Sequence, residues 1–307
     1  MAGLKQIKTK IVAMKKSQTV TKAMEAVSAA KMRKSQQTAL SGRAYARAAA
    51  SVLSRVAGSR ELLSHPLARP NTASGKRALY IVITSDKGLA GALNSGVLKA
   101  AARDIAEAGH APKDAAIIAV GRKAHDYFAA RGYPVEGFYP NTTEVTGETV
   151  RTIVDTAAAR FMSGEYKVVK IAYQNFISTF EQRPTLRTVF PLSLADLERV
   201  VGDITPAKGA FAAGQTSDVR PSTYTLEPSQ EEVLGVILPM LASVIVYHAL
   251  LESQASEHSA RMVAMKSASD KAAEKQDELT LVFNKARQAA ITREVSEIIG
   301  GMEALVS

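Results

Sequence analysis

ESQASEHSARMVAMKSASDKAAEKQDELTLVFNKARQAA, Glu252 to Ala290, is the stretch on which the fold turns. Ala255, His258, Met262, Met265, Ser269, Ala272, Gln276, Leu279, Phe283, Ala286 and Ala290 follow one another by alternating steps of four and three. Reading back from Ala255, the same steps pass through Leu251, Tyr247, Val244, Met240, Ile237 and Val233. That is a heptad seam, which predicts a left-handed supercoil with another helix. At 1.5 Å per residue, a helix from Ser229 to Gly300 spans roughly 100 Å. Pro239 lies inside it, so a short leading helix or a kink is expected there. The seam is small, polar and thioether-rich, so it needs a partner.

The other end of the chain supplies one. Residues 3 to about 57 contain no proline and little glycine, and read as a single helix. Leu4, Ile7, Ile11 and Met14 step by heptad spacing; after a slip near Ser17-Gln18, Val20, Met24 and Val27 continue the stripe. His65-Pro66 and Arg69-Pro70-Asn71 break the pattern.

Between the ends the period changes. Ala78–Thr84, Ala115–Gly121 and Val135–Phe138 are short apolar runs, and Lys167–Tyr173 alternates. Helical stretches separate them, ending near Ala108 and covering Lys123–Arg131 and Glu148–Met162; Thr185–Leu192 adds an edge strand. This β-α-β-α order gives a compact α/β domain with a largely parallel sheet. Residues 202–228 are rich in Gly, Pro, Ser and Thr and read as a loop. The expected fold is therefore α/β: an antiparallel coiled coil of long N- and C-terminal helices with an inserted Rossmann-like α/β domain. The expected divisions are 1–75 (shaft helix and linker), 76–201 (α/β domain), 202–228 (linker) and 229–307 (C-terminal shaft helix).

Composition narrows the function. The 307 residues contain no cysteine, which excludes disulfides and thiolate-bound zinc. The net charge is +10, and it is concentrated: residues 1–60 hold Lys31, Arg33, Lys34 and many other bases against the single acid Glu25. Such an arm calls for an acidic partner. The most apolar stretch, Val233–Leu251, is interrupted by Gly235, Pro239, Ser243 and His248 and reads as a buried helix rather than a membrane span. Gly88-Leu89-Ala90-Gly91 matches neither common phosphate-loop pattern. His65, His110, His125, His248 and His258 are scattered without metal-ligand spacing. A nucleic-acid binder would need aromatic residues among the basic ones, and residues 1–60 offer only Tyr45. A nucleotide-dependent enzyme would need a phosphate loop or an acidic ribose contact, and neither is visible.

Three segments resemble one family: AMEAVSAAKMRKSQ (Ala23–Gln36), SDKGLAGALN (Ser85–Asn94), and the block from Glu252 to Ala272 with its continuation Leu279–Leu305. In that order and over essentially the whole chain, they are similar to the gamma subunits of bacterial, mitochondrial and chloroplast ATP synthases. The resemblance implies a rotary shaft with no active site and no cofactor. It implies that the shaft turns inside the ring of alpha and beta subunits, with the α/β domain meeting the epsilon subunit and the membrane c ring, and delta and other stator subunits engaged only indirectly. Proton flow would drive ATP synthesis in the beta subunits, or run in reverse, and the shaft would regulate ATPase activity. By the same resemblance, Met24, Lys31, Arg33 and Lys34 face the acidic segments of the beta subunits, although Met24 answers equally to a coiled-coil core position. Asp86, Lys87 and Gly88 would touch the base of a beta subunit; a tight turn using Gly88 and Gly91 is the other reading of that loop. Arg287, Gln288 and Thr292 would bond a beta-subunit loop near the top of the shaft. The motif begins within a few residues of Met1, so a bacterial protein on the cytoplasmic face of the inner membrane is expected, held there only through its complex. The family often has Asn near Ser269-Asp270-Lys271 and Cys near Ala90, and this sequence has neither. Without cysteine, the thiol regulation of the chloroplast form is excluded.

Overall fold

The computed structural model describes residues 2–41, 62, 65–71, 77–141, 144–193 and 229–306. The expected extension of the first helix to residue 57, the linker 202–228 and the boundaries at 75 and 201 lie outside them. The chain divides into two compact units, 1–29 with 261–307, and 30–260.

The first unit is helical. Helix α1 covers Ala2–Ser41 and helix α5 covers Gln230–Val306; the outer part of each belongs to this unit. The two long terminal helices pack together, as the seam requires. On α5 from Met265 onward every position the heptad names is buried or half-buried, Met265, Ser269, Ala272, Gln276, Leu279, Phe283, Ala286 and Ala290, while at Met262 the neighbouring Arg261 is the more buried. On α1 the outcome differs from expectation. There is no slip: Leu4, Ile7, Ile11, Met14, Gln18, Thr21, Glu25 and Ser28 form one unbroken heptad. Val20 and Val27 are each 57% exposed and point away from it. The apolar residues misled because the seam turns polar at Gln18, Thr21, Glu25 and Ser28. Ile11→Ser is thus expected to destabilise the chain by about 1–2 kcal/mol, because an apolar seam contact is lost. Val20→Ser should stay within about 0.5 kcal/mol. Thermal melts followed by helical circular dichroism separate the two.

The second unit is a three-layer α/β domain. Its strands are β1 (Ala78–Ile83), β2 (Ala115–Val120), β3 (Val135–Tyr139), β4 (Val168–Phe176) and β5 (Gln182–Phe190). They lie in the order β3-β2-β1-β4-β5; all neighbours are parallel except β4 and β5, which are antiparallel. β1 and β2 are buried at every position, which is why they read as continuous apolar runs. Helices α2 (Leu93–Glu107) and α3 (Arg122–Ala129) cover one face through Val97, Ala101, Ile105 and Phe128. Helix α4 (Gly147–Met162) and the first part of α5 cover the other.

This shared face widens the buried stripe of α5 beyond the heptad. Between residues 233 and 247 its buried residues are Leu234, Leu238, Leu241, Ala242, Val244, Ile245 and Val246; of the heptad positions Val244 is in this core and Ile237 and Tyr247 pack against it, whereas Met240 is 46% exposed. A helix lying on a sheet buries a wider stripe than a coiled-coil seam. Pro239 lies within one helix and no short leading helix forms. The helix begins where Ser229 Oγ accepts the Glu232 N–H at 3.2 Å, with Glu231 and Glu232 in the first turn.

His65 fastens the segment ahead of β1. Its Nδ1 accepts the N–H of Leu67, itself only 2% exposed, at 3.2 Å. Burial lowers its pKa from the ordinary 6.5, against the opposing pull of Glu231. The unfolded chain therefore takes up a proton more readily than the folded one, so stability is full above pH 6.5 and falls as the pH drops toward the folded value. Melting temperatures from pH 7.5 down to 5 should show this loss in the wild type and a weaker loss in His65→Gln.

Candidate functional site: the carboxyl edge of the sheet and the exposed faces of the shaft

In α/β sheets, function gathers where the strand order reverses, at the carboxyl ends of the strands. Here that point lies between β1 and β4, and the loop that leaves β1 there is held by its own side chains. Asn94 Oδ1 accepts the Ser85 N–H at 2.9 Å and Asn94 Nδ2 donates to Ser85 Oγ at 2.7 Å. Ser85 Oγ donates in turn to the Lys87 carbonyl. Asp86 Oδ1 accepts the Arg122 N–H at 2.8 Å, and Thr84 Oγ1 accepts the Ala124 N–H at 2.9 Å. The loop after β1 thus caps α3. Gly121, at φ 93°, packs against the Thr84 backbone so closely that a Cβ there would overlap its carbonyl.

The tight-turn reading of this loop holds for Gly91 and not for Gly88. The left-handed residues of this loop are Leu89 (φ 63°) and Gly91 (φ 57°), and a Cβ at Gly88 would meet open space. Lys87 and Gly88 are exposed, as is Leu89 at 62%.

Helix α5 crosses this edge. Ser259 Oγ donates to the Thr179 carbonyl at 2.6 Å and Ser256 Oγ to the Gln174 carbonyl at 3.2 Å. Gln254 Nε2 donates to Asn141 Oδ1 at 3.3 Å, and Asn141 Nδ2 donates to the Thr84 carbonyl at 2.8 Å. Ser256 and Ser259 are fully buried. Sequence reading missed this group. Its signal was Ser253, Ser256 and Ser259 in succession every three residues, side chains short enough for a helix to approach a backbone.

Lys31 and Lys34 lie beside the same stretch of α5. With Ser35, Glu144, Gln254 and His258 they line a hollow of about 230 Å³. Lys34 Nζ bonds Glu144 Oε1 at 2.9 Å, and that hydrogen bond and charge hold the Glu144 carboxyl below its ordinary pKa. Both side chains are largely exposed, so screening by water leaves the pair a weak fastener. Arg33 is exposed.

The remaining candidates belong to the helical unit. Met24 is half-buried on α1, next to the seam. Arg287, Gln288 and Thr292 are exposed on α5, where Thr292 Oγ1 donates to the Gln288 carbonyl at 3.0 Å. From residue 291 to 299 every side chain is exposed, yet Ile291, Val295, Ile298 and Met302 keep the four-three-four spacing.

None of these groupings pairs a nucleophile with a base, and among the described residues no cluster of His, Asp and Glu is arranged to hold a metal ion. Two kinds of structure stand out, long paired helices with a polar seam and an α/β domain built on a mostly parallel sheet.

Comparison with known proteins makes this specific. A family model described as ATP synthase matches residues 3–305. The ATP synthase gamma chain of Pelotomaculum thermopropionicum is 39% identical over 306 residues, spanning 99% of this chain and 100% of its own length. That of Staphylococcus saprophyticus is 37% identical over the same shares. Among solved structures, a chain of the Tetrahymena thermophila mitochondrial ATP synthase central stalk and c ring aligns with TM-score 0.56 at 23% identity, over 81% of this chain and 99% of its own. A chain of the Euglena gracilis mitochondrial ATP synthase aligns with TM-score 0.63 at 19% identity, over 99% and 95%. The chain belongs to the ATP synthase gamma-chain family. It is a non-catalytic rotor subunit, the central stalk of an F-type ATP synthase, and works as part of that membrane-associated complex.

Proposed function

We propose that this subunit couples rotation of the membrane c ring to the conformational cycle of the beta subunits, at the cytoplasmic face of a bacterial inner membrane. Two roles are divided along the chain. The terminal helices are the shaft, and the α/β domain is the foot that meets the c ring and the epsilon subunit. The observation that carries this is the heptad stripe Ile291, Val295, Ile298 and Met302, exposed at the end of α5. Apolar residues spaced as a seam ask for a surrounding surface. A ring of alpha and beta subunits is such a surface.

In this reading Lys31, Arg33 and Lys34 present positive charge to the acidic segments of the beta subunits, with Met24 about two to three turns further along. Exposed ion pairs are worth about 0–1 kcal/mol each. Weak pairs suit a bearing, because every contact must break as the shaft turns. Lys87 and Gly88 supply a further contact from the exposed loop after β1, while Asp86 holds that loop in place. Arg287, Gln288 and Thr292 supply the contact near the shaft's far end. ATP-driven proton pumping is the same cycle reversed, and ATPase activity is regulated through the same contacts.

The test is to recover the tagged chain from native membranes in mild detergent and to assay ATP hydrolysis. Alpha, beta and epsilon subunits should co-purify with an activity that the free chain lacks. Recovery of the chain alone, or with nucleic acid, would refute the proposal.

A further inference from the structure

A rotor must pass torque from its foot into its shaft, and α5 belongs to both. Within the α/β domain most of its contact is apolar, through Leu238, Leu241, Ile245 and Ala249. Apolar burial depends on area and has no preferred direction, so it resists rolling of a helix weakly. Hydrogen bonds weaken steeply with misalignment and do resist it.

We propose that Gln254, Ser256 and Ser259 form a torsional key, three positioning residues that fix the angle of α5 about its own axis and carry torque from the sheet into the shaft. The key rests on the rotor role. Its geometry is a grip from two sides. At roughly 100° per residue, Ser256 and Ser259 lie within about 60° of one another and about 140–160° from Gln254 around the axis. The serines bond carbonyls of β4 and of its turn into β5, at Gln174 and Thr179. Gln254 bonds Asn141 beyond the end of β3, and Asn141 is fixed to the Thr84 carbonyl beyond β1. Contacts on opposite sides of an axis oppose rotation as a couple, whereas contacts on one side only tilt the helix. Gln182 backs the arrangement, its Nε2 donating to the carbonyls of Ser178 and Thr179 at 3.1 and 3.0 Å, which holds the β4–β5 turn in shape. Both serine hydroxyls are sealed from water, so no solvent molecule substitutes when they are removed.

The experiment uses the whole ATP synthase in sealed vesicles, with the double variant Ser256→Ala/Ser259→Ala. ATP hydrolysis and ATP-driven proton pumping are measured on one preparation. Hydrolysis by the beta subunits should persist, while protons pumped per ATP fall by a factor of about two or more, because directional bonds have been replaced by nothing. Single-molecule rotation should show a more compliant rotor. Leu250→Ala, in the same part of α5, should lower the yield of assembled complex and leave the ratio unchanged. An unchanged ratio in the double variant overturns the key, and so does an equal fall in Leu250→Ala, which would mark general loosening. If the double variant does not assemble, Ser259→Ala alone is judged by the same ratio. A complex lacking this chain that still pumped protons would instead overturn the rotor role.

Discussion

Gly121→Ala is expected to prevent the α/β domain from reaching its native packing, with a loss of about 3–5 kcal/mol from steric overlap and left-handed backbone strain combined. The added Cβ would overlap the Thr84 carbonyl oxygen and lie 2.7 Å from its carbon and 2.9 Å from Thr84 Oγ1. None of these atoms is free to retreat. Thr84 N–H donates to the Val120 carbonyl at 2.8 Å, and Gly121 N–H donates to the Tyr139 carbonyl at 2.8 Å. The clash therefore falls on the junction of three parallel strands. A domain is stable by only about 5–15 kcal/mol, so the variant should be recovered mainly as aggregate. Thermal melting of any soluble fraction and the yield of assembled complex measure the effect. Gly147→Ala, which meets open space, is the matched control and should behave as wild type.

Arg287→Ala is expected to reduce ATP synthesis by the assembled enzyme about tenfold, the effect of losing a charge-assisted hydrogen bond worth about 1.5–3 kcal/mol. Arg287 is exposed, so its removal should not disturb the chain's own fold. Nucleotide binding by the complex should be unaffected, because that chemistry belongs to the partners. Synthesis rates in energised vesicles, beside nucleotide titration of the same preparation, separate the two. Full synthesis and normal assembly in this variant would remove Arg287 from the proposed contact.

How far the fold was legible depended on what each segment packs against. β1 and β2 were plain because central parallel strands bury both faces, and Ala78–Ile83 and Ala115–Val120 are apolar throughout. The seam from Met262 to Ala290 was plain because its partner is a single helix. Before residue 250 the same heptad caught Val244 but named the exposed Met240 and missed Leu234, Leu238, Leu241 and Ile245, because there the partner becomes a sheet, and periodicity does not reveal a change of partner. On α1, Val20 and Val27 drew the stripe outward while Gln18 and Thr21 held the true seam. Hydrophobicity is a poor guide where a seam is built from polar side chains. The serine contacts of the sheet edge were invisible for a similar reason: their acceptors are backbone carbonyls, which leave no trace in residue identity.

The pairing of the two chain ends has a consequence for how the molecule forms. Residues up to 29 share a unit with residues from 261 onward, so more than 200 residues separate the partners along the chain. Closing so long a loop in an unfolded chain is entropically unfavourable, and contacts this distant in sequence form slowly. The parallel sheet, by contrast, is built from neighbouring β-α-β units and can condense first. Once it has, both loose ends hang from one folded body and meet at high local concentration. The shaft is then the last part to zip up, long after the sheet that holds its two halves together has formed.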